Sequence, residues 1–278
     1  MDSPPGRFLN RPGGFWEKDL NKKLRLKLIS LFSILIFLTA WELCTDVFRL
    51  VPKTSLPSPV LVFKTFIAKW SVKSPDGATL GQHIIASLEV SLMGFLLGCV
   101  IGIPLGVLMG WYKRFDQMAK PVFDFVRTIP SIAWIPIMII LLGIGVLAKA
   151  SIVFLSAFIP CVINSYTGIK ATKSVHIWVA QTFGASRQAT LLRVALPTAL
   201  PYIFTGMKVS LNASWTSLLA AEMLGSSRGL GFMIQMGRLL IRVDVVVVGM
   251  ITIGVIGFLL SAGLDWLESK MVKGGIQG

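Results

Sequence analysis

The side chains here with the capacity for chemistry fall where hydrocarbon would surround them. Asp124, Arg127, Thr128 and Ser131 recur at helical spacing inside an apolar run, and Trp134 continues the series. Further on, "KVSLNASWTSLLAAEM" sets Ser210, Ser214 and Ser217 on one side of a helix and Asn212 and Thr216 on an adjacent side, with Glu222 near its end. Charges within a membrane span are costly and mark ion pairs or solute pathways. Asp124 and Arg127, three apart, suit an ion pair, and Arg127 also reaches the interface by snorkelling; its expected role is structural. Ser131, Trp134, Ser210, Asn212, Ser214, Ser217 and Glu222 suit the wall of a translocation pathway. Small hydroxylated residues suit ordinary helix packing equally well. Glu222 is expected at a partly hydrated helix end. Glu42, Glu89 and Glu222 lie on separate helices at different depths, which excludes a carboxylate relay.

Other chemistries lack their spacing. Cys44, Cys99 and Cys161 occupy three different apolar runs without a CxxC or Cys/His pattern, and His83 and His176 have no ligand pattern around them. No metal site is expected. No G-x-x-x-x-G-K-[ST] phosphate loop is present, because Lys173-Ser174 lacks the glycine frame. The chain is expected to hold no cofactor and to catalyse nothing.

These groups need helices that cross a bilayer to position them. Of 278 residues, 54% are hydrophobic and 14% charged, and the mean hydropathy is +0.74. A soluble domain carries about 25% charged residues. The reading is an all-α, polytopic membrane protein with six transmembrane helices. The formal charge of +14 does not point to nucleic acid, because the basic residues gather at the ends of apolar runs. Spans are predicted at about Ile29–Leu50, His83–Trp111, Pro121–Gly145, Leu147–Ile169, Leu200–Met223 and Val245–Leu264. Residues 1–28, basic and rich in Pro and Gly, read as a cytoplasmic tail rather than a cleavable signal, because the apolar run after them is too long for one. Residues 29–270 form the transmembrane domain, and 271–278 a second tail.

Sixteen Lys and Arg residues fall on the side of the two tails and nine on the other, which places both termini in the cytoplasm. Residues 51–82 are too polar to span. Val60, Phe63, Phe66, Ile67 and Trp70 give that outer segment an amphipathic helix at the interface. Gly94, Gly98, Gly102, Gly106 and Gly110 repeat every fourth residue, a packing signal for a neighbouring backbone, and Pro104 is expected to kink that span.

The segment 170–197 is polar among greasy neighbours. Val175, Trp178, Val179, Thr182 and Phe183 form one apolar edge. Gly184 permits a turn, Ser186 caps a second helix from Arg187, and Pro197 is expected to end that helix. An exposed apolar elbow of this kind awaits a protein partner or lies on headgroups.

The loop resembles the cytoplasmic signature of bacterial ABC importer permeases, Glu-Ala-Ala-x3-Gly-x9-Ile-x-Leu-Pro. Ala180, Gly184, Val194, Leu196 and Pro197 match, while Trp178 and Val179 stand in place of the Glu and first Ala. "RTIPSIAWIPIMIILLGIG", "LPYIFTGMKVSLNASWTSLLAAEM", "RGLGFMIQ" and "DVVVVGMITIGVIGFLL" resemble the branch that imports taurine, aliphatic sulfonates, nitrate or bicarbonate. The resemblance runs from about Leu56 to the C-terminus. It implies a type I ABC importer permease fold in a bacterial cytoplasmic (inner) membrane. It also implies three kinds of partner: a second permease copy, two ATP-binding-cassette ATPase subunits that bind ATP and Mg, and an external binding protein, periplasmic or lipid-anchored. The docking residues it implies are Val175, Trp178, Val179, Ala180, Thr182, Phe183, Gly184, Ala185, Ser186, Leu196 and Pro197. The expected cargo is a small anion, taurine or another sulfonate first, with nitrate, bicarbonate, an aromatic acid or a vitamin precursor as alternatives. A secondary transporter driven by an ion gradient is the rival of another class; it would show inverted repeats and paired acidic residues at mid-membrane. A non-transporting scaffold is a third.

Overall fold

The computed structural model describes residues 28–29, 32–48, 52 and 55–271. The predicted tail 1–28, the ends of the first predicted span and residues 272–278 therefore lie wholly or partly outside the described residues. The chain divides into two units, residues 1–63 and 64–278.

The first unit holds helix α1, residues 32–42, whose last turn widens into a π-helix over Leu43–Val47. Helix α2 (Pro59–Ala68) crosses the division between the units.

In the second unit, α3 (Leu80–Trp111), α6 (Val146–Lys170) and α9 (Leu196–Gly225) form the core. The glycine repeat accounts for how α3 and α6 approach. A Cβ at Gly94, Gly102, Gly106 or Gly110 would meet Val153, Cys161, Ser165 and Ile169 respectively, and one at Gly98 would meet Ala157. The facing residues also advance by four, so one row of α3 lies along one row of α6. On its other side α6 meets α9: a Cβ at Gly168 would press on Ala199 and Tyr202, and one at Gly206 on Asn164. Helix α3 runs unbroken through Pro104.

Among the described residues, four helices are long and apolar enough to cross a membrane: residues 80–111, 146–170, 187–225 and 243–271. The predicted third span is broken. Helix α4 (Lys113–Arg127) and the segment Ser131–Leu142, which contains α5 (Ile135–Leu142), meet at a bend of 82° and supply a fifth crossing if taken as one span. The first predicted span is helical over 32–47 within the described residues. Helix α10 (Leu230–Leu239), not anticipated from periodicity, forms a hairpin with α9, and α11 (Val243–Met271) closes the chain. Phe258, Leu259 and Val255 of α11 are exposed, as befits a face turned to lipid.

Candidate functional site

The elbow between α6 and α9 begins with α7 (Ser174–Thr182), which carries no Lys, Arg, Asp or Glu. Val175, Trp178 and Val179 are exposed along its edge, and Phe183 just beyond is 86% exposed. The helix stops because Gly184 takes a left-handed conformation, φ +77°. Two bonds then close the end: Gly184 N donates to Gln181 O at 2.9 Å and Ala185 N to Ala180 O at 3.0 Å. This is the paired closure of a Schellman motif, in which glycine avoids the Cβ penalty of a left-handed residue. Ser186 Oγ accepts Ala189 N at 3.2 Å and caps α8 (Arg187–Thr190). Gly184 and Ser186 thus perform the turn and the cap expected of them, while Thr182 spends its hydroxyl on Trp178 O.

Pro197 does not end the following helix. A π-helical turn over Leu191–Ala195 joins α8 to α9, and residues 187–225 run as one helix. The Pro197 ring would crowd the carbonyl four residues earlier in a regular helix, and the wider π turn relieves that crowding. Leu191, Ala195, Ala199 and Ile203 of this rod pack with Ile169 of α6. Arg187 stands 5.1 Å over the Tyr112 ring beside the end of α3. The elbow is therefore tied to the core helices.

The two polar sides of α9 have different fates. Ser210 Oγ donates to Ala157 O at 2.7 Å and Ser214 Oγ to Val153 O at 3.4 Å. Ser217 Oγ accepts from Ser156 Oγ at 2.6 Å and lies 3.2 Å from Ser131 Oγ. These three serines are buried against α6, so in this structure the stripe serves packing. Asn212 and Thr216 lie on an exposed side, with Thr205 on the same flank. Trp134 is half-buried in the 3-10 turn Ser131–Trp134. Because the bend falls between Arg127 and Ser131, Asp124 and Arg127 do not share one helical face with Ser131 and Trp134, contrary to the expectation from spacing. Arg127 Nε pairs with Asp124 Oδ1 at 2.8 Å, as three-residue spacing allows.

Glu222 departs from expectation most. Expected at a hydrated end, it is 0% exposed. Ser87 Oγ donates to its carboxylate at 2.7 Å, and Gly231 N donates at 2.8 Å. Leu230 N donates to Ser87 Oγ at 2.8 Å, and Gly229 N to His83 Nδ1 at 3.1 Å. The carboxylate thus caps the first turn of α10 from a neighbouring helix, where the partial positive charge of a helix start offsets it. The pattern continues outward. His83 Nε2 lies 3.4 Å from Asp76 Oδ2, and Lys69 pairs with Asp76 and donates to Ala78 O at 2.8 Å. Burial alone would raise the Asp76 pKa, but His83 and Lys69 together hold it below its ordinary value. Residue type and spacing assign no role to Lys69, Asp76, His83 and Ser87. The available signal was the four-residue spacing of His83 and Ser87 on α3, one side of one helix.

An exposed apolar edge on α7 beside helices long and apolar enough to cross a membrane defines a multi-pass membrane protein. The family model described as "Binding-protein-dependent transport system inner membrane component" matches residues 102–273. The chain is 34% identical to the taurine transport system permease protein TauC of Escherichia coli (strain K12) over 92% of each chain. It is 32% identical to the bicarbonate transport system permease protein CmpB of Synechococcus elongatus over 95% of each. The inward-facing MetNI methionine ABC transporter contains a chain of the same fold, with a TM-score of 0.60 at 20% identity, covering 69% of this chain and 95% of that one. This protein belongs to the family of binding-protein-dependent transport system inner membrane components. It is a multi-pass permease of the ABC importer class, a transport component rather than an enzyme.

Proposed function

We propose that the chain forms, with a second copy of itself, the transmembrane pathway of an importer for a small anion, taurine or another sulfonate first. Two ATP-binding-cassette ATPase subunits dock from the cytoplasm, where both termini lie, and bind the ATP and Mg. An external binding protein delivers the solute. Residues 29–270 make up the transmembrane domain, and 170–197 its docking loop.

The observation that carries this reading is the elbow. Val175, Trp178, Val179 and Phe183 present an uncharged apolar edge, and the turn Ala180–Ser186 leads directly into the continuous helix 187–225. A partner that seats the edge in a groove gains the burial of those side chains. Any displacement of the partner then reaches α9 through a helix, which transmits force better than a loop. The exposed side of α9 with Asn212 and Thr216 supplies the polar pathway surface, together with Ser131 and Trp134 near the bend. Ser210, Ser214, Ser217 and Glu222 hold that wall in place from behind. The chemistry of the cargo is argued from likeness to TauC; likeness to CmpB supports bicarbonate as the second reading.

The test is ATP-driven uptake by proteoliposomes holding the permease, its ATPases and its binding protein. Accumulation of taurine dependent on all three components is expected. Accumulation of bicarbonate without taurine moves the assignment to the second reading, and uptake driven by an ion gradient without ATP overturns the first.

A further inference from the structure

A cavity of about 200 Å³ lies between α4 and α6 at the elbow end of the bundle. Lys120 and Arg127 line it from α4, Tyr166 and Thr167 from α6, and its floor includes the buried side chains of Phe123 and Val162. Lys120, Arg127 and Asp124 are the charged residues of the lining, which leaves a net charge of +1.

The cations are held with N–H donors left over. Asp124 takes Arg127 Nε at 2.8 Å, and among the described residues the two terminal guanidinium nitrogens have no further partner. Lys120 Nζ stands 5.2 Å over the Tyr166 ring, and Lys170 Nζ stands 5.5 Å from the same ring. The Tyr166 phenol is in turn fixed by Asp116 Oδ2 at 3.2 Å. A cation–π contact orients an ammonium while leaving its N–H donors unspent. The result is a planar donor fork and a point charge above an apolar floor. A fork of this kind suits an oxyanion that accepts two bonds at once. The floor suits an organic stem, which bicarbonate and nitrate do not have.

We infer that this cavity is a binding site for a small organic sulfonate, with the head between Lys120 and Arg127 and the stem on Phe123 and Val162. The inference rests on the proposed transport of such anions. In the proposed orientation the site faces the inner side of the membrane, where an imported anion is released.

The full-length chain, in nanodiscs of uncharged phosphatidylcholine, is titrated with ethanesulfonate and with bicarbonate by calorimetry. Ethanesulfonate is expected to bind at one site per chain. Lys120→Gln or Arg127→Gln is expected to weaken it roughly tenfold or more, the worth of a charge-assisted bond, whereas Lys120→Arg retains it. Both side chains are solvent-accessible, so folding is expected to survive these changes. Absence of saturable binding, equal binding of bicarbonate, or unchanged affinity in both Gln variants overturns the inference. So does native mass spectrometry that shows anionic phosphatidylglycerol retained by the chain and lost in Lys120→Gln, because the cavity is then a lipid headgroup site. The titration needs neither ATPase nor binding protein. Intact ATP-driven taurine uptake without ethanesulfonate binding sinks only the site; binding without any such uptake sinks the transport reading.

Discussion

Glu222 is a carboxylate without access to water, and donors on two other elements take the place of solvent. Ser87 Oγ and Gly231 N both point at it. Truncation would leave those buried donors unpaired, at roughly 1–3 kcal/mol for each group. Glu222→Ala is therefore expected to lower the unfolding temperature in detergent clearly, and Glu222→Gln, which keeps an acceptor, to lower it much less; equal losses would show that the hydrogen bonds are not what matters. Asp76 makes a pH-dependent contribution at the same end of the bundle. Its folded pKa is depressed, because Lys69 and His83 outweigh the effect of burial. The stability it adds is complete above its unfolded value and is lost as the pH falls through the folded one. Wild type is expected to lose thermal stability between about pH 5 and pH 3, the range in which carboxylates titrate. Asp76→Asn should be less stable at pH 7 and flatter across that range. Parallel pH profiles would refute the assignment.

At the scale of elements, the α3–α6 seam depends on the absence of side chains. A Cβ at Gly98 would lie 3.0 Å from Phe158 N with Ala157 in the way, whereas one at Gly263 on α11 has nothing within 4 Å. Overpacking costs about 1–3 kcal/mol, occasionally more. Gly98→Leu is expected to reduce the monodisperse fraction after extraction and to lower the unfolding temperature. Gly263→Leu is expected to change neither, and a similar loss in both variants would mean that the seam is not special. The bend of 82° between α4 and Ser131–Leu142 belongs to the same scale. Pro130 has no N–H to continue the helix, and it biases the residue before it away from helical angles.

For the whole molecule, the proposed function makes the elbow the route by which motion reaches the pathway. Gly184 has φ +77° and free space around a notional Cβ, so a substitution there is opposed by the backbone angle and not by crowding. A left-handed residue with a Cβ costs about 1–2 kcal/mol, more when β-branched, and asparagine tolerates the conformation best. Gly184→Val is expected to misdirect α7, leaving ATP hydrolysis in the reconstituted complex but lowering coupled uptake by roughly tenfold, the equivalent of about 1.4 kcal/mol. Gly184→Asn is expected to behave close to wild type. Coupled uptake unchanged in Gly184→Val would remove the role assigned to the turn.

Much of this was local, and the sequence alone determined it. Apolar run length marks four of the six predicted spans, the four-residue glycine repeat sets a packing face, and the Gly184 turn with the Ser186 cap needs only neighbouring backbone groups. The apolar edge of α7 is likewise a matter of one helix and its periodicity. Only the tertiary structure decided which polar side of α9 turns inward, since both sides are compatible with the same spacing and only contact with α6 distinguishes them. The same holds for the continuity of the helix through Pro197 and for the chain of contacts Lys69–Asp76–His83 and Ser87–Glu222–Gly231. Ser87 and Glu222 lie 135 residues apart, while Lys69, Asp76 and His83, though close in sequence, lie just past α2, in the loop after it and on α3. A buried polar group finds its partners wherever packing brings donors within reach.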